Sequence, residues 1–168
     1  MRRLTYIQGV GAAAVLVASL NIVACTPHTR DAQGREAAVG TIATKHSPNP
    51  IRHDLEPLTK RFPALGSPVA VSWVSGDMGD QRVPGPSTYW LDSIVELKST
   101  TVADLKARYH PAPTTVPPDV WETLAGALPA GGYLTSSALD EAFSSTKIRS
   151  KAFLAEQAPV LVISALGQ

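Results

Sequence analysis

Asp77, Asp80 and Arg82 fall within six positions of one another in the stretch Gly76 to Ser87, which also holds Pro84 and Pro86. Two acids beside glycines are the raw material of a calcium loop. The stretch lacks the alternating acids and terminal glutamate of an EF-hand, so turn formation is the favoured reading of Asp77 and Asp80. The loop is about a dozen residues long, where 2–5 would close a hairpin, and long loops on rigid strands commonly carry binding. Tyr89 and Trp90 follow it, and Arg, Tyr and Trp are the residue types enriched in binding hot spots. Asp77, Asp80, Arg82, Tyr89 and Trp90 are therefore the candidate binding residues. The competing reading makes Trp90 a core side chain and the prolines mere stiffeners.

Catalytic patterns are absent from the sequence. No Gly-x-Ser-x-Gly, His-Glu-x-x-His, paired Cys-x-x-Cys or phosphate-cradling glycine loop occurs. His110 is the one histidine after residue 57; placed before Pro111, it reads as a helix C-terminal cap. His28, His46 and His53 have spacings that fit no metal site. Asp92 and Glu96 share a strand face roughly 13 Å apart, outside the usual range of a glycosidase pair, and read as solvated acids. No catalytic residue, metal or cofactor is expected.

The chain has one cysteine, Cys25, which excludes an intrachain disulfide. It ends a small and apolar run from Val10 to Ala24 that follows Arg2-Arg3. That run is short for a membrane span, which needs about 20 apolar residues, and suits the core of an export signal. The sequence Ile22-Val23-Ala24-Cys25 resembles the lipobox of bacterial lipoproteins. The resemblance implies cleavage between Ala24 and Cys25, a diacylglyceryl group on the Cys25 thiol, and anchoring at the extracytoplasmic face of the cell membrane. Two acyl chains give stable attachment where one is marginal. Arg2-Arg3 also admits twin-arginine export, though the surrounding motif is poorly matched.

The formal charge of +1 changes once this segment is set apart. Residues 1–24 hold two arginines and no acid, leaving 13 basic and 14 acidic side chains. A near-neutral remainder gives no argument for nucleic acid as a partner. Residues 25–57, with four prolines, read as an acylated N-terminus and flexible tether reaching about 30 Å. Residues 58–168 read as a single domain.

Within that domain, Leu58, Phe62 and Leu65 predict a helix stopped by Gly66 and Pro68. Alternation predicts strands over Val69–Val74 and Tyr89–Leu97, the second imperfect at Ser93 and Ile94. Thr101 to Asp104 has capping-box spacing for a helix carrying Val102, Leu105 and Tyr109. A second helix is expected from Pro118-Asp119, with Trp121, Leu124 and Leu128 as its stripe. A third should begin near Ser136 or Ser137 and present Leu139 and Phe143. Lys151–Glu156 and Val160–Leu166 then form a closing hairpin turned by Gln157-Ala158-Pro159.

The expectation is an α+β fold: an antiparallel sheet of about four strands with two to four helices packed on one face. Arg61-Phe62-Pro63, Val83-Pro84-Gly85-Pro86 and Ser137-Ala138-Leu139-Asp140 are similar to stretches of small hypothetical secreted proteins of high-GC Gram-positive bacteria, a group that brings no activity. The expected function is a membrane-anchored lipoprotein whose non-enzymatic domain binds an envelope partner through the Gly76–Trp90 edge. The alternatives are an envelope enzyme using Asp77, Asp80 and Arg82, and an accessory or inhibitory subunit of an envelope complex.

Overall fold

The computed structural model describes residues 44–46, 48–78 and 87–168. The segment read as an export signal, with Ala24, Cys25, Asp80 and Arg82, lies outside them. The described chain runs β1 (Lys45–His46), α1 (Glu56–Arg61), β2 (Ala70–Met78), β3 (Thr88–Glu96), α2 (Ser99–Tyr109), β4 (Ala112–Thr114), α3 (Glu122–Ala125), β5 (Tyr133–Thr135), α4 (Ser137–Ala142), β6 (Ile148–Ala155) and β7 (Val160–Gly167). All seven strands join one antiparallel sheet in the order β1-β2-β3-β7-β6-β5-β4, curled into a half-barrel.

This corrects the expected fold class of about four strands with helices over one face. The four strands predicted from alternation are β2, β3, β6 and β7. The three that were missed have only two or three residues each, too few for a period of 2 to register. The helices also divide between the faces. Leu58, Leu105 and Leu139, from α1, α2 and α4, bury against Val71, Leu91, Val95 and Ile163. Leu124 of α3 packs on the opposite face against Val74 and Trp90. Both faces of β2 and β3 are thus covered.

Sequence signals placed some elements well and were overridden at others. Ser136 caps α4 by accepting a hydrogen bond from the Leu139 amide at 3.1 Å. His110 ends α2 in the left-handed region at φ 44°, and its amide donates to the Lys106 carbonyl. The capping box at Thr101 is not formed: α2 starts two residues earlier, at Ser99, with no side-chain cap. Val69, expected to open the first long strand, precedes β2 and is 54% exposed.

Residues 44–57, read from the sequence as the end of the tether, make contacts with the sheet. Lys45 and His46 pair with Met78 and Asp77 of β2. The Asn49 amide donates to the Ser75 carbonyl at 2.8 Å, and Arg52 bridges Trp73. His53 Nδ1 lies 3.0 Å from the Val71 carbonyl, so this loop histidine is also bound to the sheet.

Gly167 faces Tyr89 across the β3–β7 ladder, and a Cβ there would enter the Tyr89 ring. Gly167→Ala is expected to destabilise the fold by about 1–3 kcal/mol, the usual cost of overpacking. Adding Tyr89→Ser should recover part of that loss in denaturant unfolding. Equal midpoints for the parent and the single variant would show that the ring moves aside freely.

Burial raises the Tyr133 phenol above its ordinary value, while its hydroxyl donates to the Pro129 carbonyl at 2.8 Å. An acid that ionises later when folded supports the fold below its unfolded value, near 10, and loses that support as pH rises further. Thermal midpoints should therefore fall more steeply above pH ~10 in the parent than in Tyr133→Phe. Parallel slopes would show that Tyr133 ionises as readily folded as unfolded.

Candidate functional site

The face of β3 that carries Trp90, Asp92 and Ile94 is where polar and apolar groups meet most closely. Asp92 is wholly buried, so it is not the solvated strand acid that its spacing from Glu96 suggested; Glu96 is exposed. Three donors compensate its charge. Lys45 Nζ lies 2.8 Å from Oδ2, the Trp121 amide donates to the same oxygen at 2.7 Å, and Ser164 Oγ donates to Oδ1 at 2.8 Å. Lys45 Nζ also reaches the Asp119 carbonyl at 3.3 Å. A buried carboxylate needs such a set, because an unpaired charge in an apolar interior is very costly.

The same contacts explain why the helix expected from Pro118-Asp119 through Leu128 is reduced to Glu122–Ala125. Asp92 holds the Trp121 amide, and Trp121 stays extended at ψ 143°. A tertiary bond thus fixes the backbone where helical periodicity would have continued. Trp121 is only half-buried, and its indole stacks on Trp90 with centroids 4.9 Å apart. Its Nε1 is enclosed without an acceptor among the described residues. The Trp90 indole N–H donates to the His46 carbonyl at 3.0 Å, and Lys45 Nζ lies 5.5 Å from the Trp90 ring centroid.

Among the described residues, the sheet face beside this node is open. A cleft of about 740 Å³ is bordered by Thr44, Lys45, Met78, residues 119–122, Arg149, Ser150, Lys151, Ser164 and Leu166. A second hollow of about 460 Å³ shares Met78, Arg149 and Leu166 with it and extends along Lys147 and Thr146. The first falls within the size range of small-molecule sites. It exists because residues 119–122 lie over β2 and β3 and leave the adjoining corner of β6 and β7 bare.

The residues singled out from sequence do not assemble into one site. Tyr89 and Trp90, as strand neighbours, point to opposite faces. Trp90 is fully buried in the core, the competing reading of its place in the sequence. Tyr89 is half-buried, with the Arg61 guanidinium 5.3 Å from its ring centroid. Tyr89 and Asp77 border a different hollow, of about 330 Å³, together with Arg52 and Arg61. His110 is not part of it. Among the described residues, no group of three His, Cys, Asp or Glu side chains is placed to hold a metal.

Lys45, Trp121, Lys147, Arg149 and Lys151 were missed as site residues. A signal existed for Asp92: its strand face reads Trp90, Asp92, Ile94, and an acid between two large apolar side chains is a buried acid. Another existed in Lys147, Arg149 and Lys151, three cations at alternate positions of a strand. Lys45, inside the expected tether, had none. The chain matches no protein-family model, no curated protein and no solved structure.

Proposed function

We propose that the chain is a lipid-anchored, extracytoplasmic lipoprotein whose domain binds a partner molecule at the cell envelope and performs no catalysis. The address rests on Cys25 as the single cysteine at the end of an apolar run after Arg2-Arg3. The binding reading rests on one observation: the open corner of β6 and β7 beside the Asp92 node, with Leu166 47% exposed in its floor. Asp92, the buried acid, has its oxygens occupied by Lys45, Trp121 and Ser164, so it serves to build the cleft wall. The binding surface moves accordingly from the Gly76–Trp90 edge to this cleft.

Two measurements test the proposal. Clickable fatty acid should label the parent chain and leave Cys25→Ser unlabelled and released from the membrane fraction; label retained by Cys25→Ser rules out the anchor. A photo-crosslinking side chain at Leu166 in intact cells should capture an adduct that the same group at Val69 does not. Equal capture at both positions would remove the cleft as the binding surface.

A further inference from the structure

Lys147, Arg149 and Lys151 alternate along β6 and its entry, so their side chains leave the same face of the sheet, about 7 Å from one to the next. All three border the connected hollows. The cross-strand partners of Arg149 and Lys151 on β7 are Leu166 and Ser164, so no acid stands opposite either. Lys151 is paired with Asp140 at 2.6 Å. Arg149 and Lys147 have no side-chain hydrogen bond or ion pair among the described residues. Arg149 stands at the junction of the two hollows.

Leu166 is directly beside Arg149, and Met78 and Trp121 border the same cleft. Asp119 and Glu122 lie on the far side, in the segment over β2 and β3. Their carboxylates repel an anion from that wall and direct it toward β6. The layout is one apolar floor, one cationic strand and a wall that carries Asp119 and Glu122, where the charge of Lys45 is paired with Asp92.

We infer that the cleft takes an anionic amphiphile: a phosphate or carboxylate held by Arg149 and Lys147, with an apolar chain lying over Leu166 toward Trp121 and Met78. The guanidinium fork suits bidentate pairing with such oxyanions, and Lys147 adds a second, movable charge. This rests on the reading of the cleft as the binding surface.

The test uses the full chain in phosphatidylcholine nanodiscs, with empty nanodiscs as control. Its probes are octyl phosphate, inorganic phosphate and octyltrimethylammonium, followed through the amide resonances of Arg149 and Leu166. Octyl phosphate should give saturable shifts, with affinity at least ~10-fold above either other probe, and Arg149→Gln with Lys147→Gln should weaken it at least ~10-fold. Both side chains are exposed, so the variant should unfold at the parent's midpoint. Equal saturable binding of the cationic and anionic amphiphiles would overturn the anion preference and leave the cleft as a binding surface. Inorganic phosphate binding as tightly as octyl phosphate would overturn the apolar component. No saturable shift with any probe would overturn this inference and the cleft reading together.

Discussion

Asp92→Ala is expected to lower the free energy of unfolding by about 3 kcal/mol, the low end of the cost of breaking a buried ion pair. Three donors lose their acceptor at once: Lys45 Nζ, the Trp121 amide and Ser164 Oγ. Lys45 borders the cleft and can turn toward water, which keeps the loss from being larger. The Trp121 amide has no such freedom, because its residue is pinned by the Trp90 stack. Asp92→Asn should cost about half as much, since its carbonyl still accepts one bond while Lys45 loses its countercharge. Replacing both partners, as Asp92→Leu with Lys45→Met, should regain part of the loss, because an apolar pair needs no donors. Urea unfolding of the parent, Asp92→Leu, Lys45→Met and the double variant forms a cycle that reads the coupling directly. A loss below ~1 kcal/mol for Asp92→Ala would show that the carboxylate reaches water.

Trp90→Ala is expected to cost about 3–5 kcal/mol, the range for emptying a fully buried aromatic site. Trp90 is flanked by Val74 and Leu124 as well as by the Trp121 ring, so no neighbour can collapse far into the void. The substitution also removes the bond from its indole to the His46 carbonyl, so β1 should exchange its amide protons faster. Trp90→Phe keeps an aromatic ring against Trp121 and gives up mainly that bond, about 1 kcal/mol. The pair of variants separates packing from tethering of β1. A Trp90→Ala chain that unfolds at the parent's midpoint would return the residue to the surface, where its sequence context first placed it.

The parts of the fold that were legible are those set by local pattern. Val71 and Trp73, Leu91 and Val95, and Leu161 and Ile163 alternate over eight- and nine-residue strands, and each pair is buried on one face. The Ser136 cap and the His110 end of α2 depend on nearest neighbours and were equally visible. What was hidden depends on contacts distant in the chain. Lys45 and Asp92 are separated by 47 positions, and Asp92 and Ser164 by 72. Neither spacing leaves a periodic trace. The shortening of α3 is the clearest case: Trp121, Leu124 and Leu128 do keep helical spacing, but Asp92 takes the amide at its start. The candidate site failed to show itself for the same reason, since its wall, floor and node come from six separate stretches of chain.

The attachment of β1 has a mechanical consequence. The chain enters the sheet at its outermost strand, two residues long, and is then fastened in sequence at Lys45, His46, Asn49 and Arg52. A pull from the N-terminal side loads these fastenings before the longer strands, and Lys45 is among the early ones to bear it. Antiparallel edge strands opened in this way yield like a zipper, at a force set by one fastening at a time. One of these early fastenings is the bond that neutralises Asp92, so tension on the leading segment is felt at the wall of the cleft before any long strand of the sheet is strained.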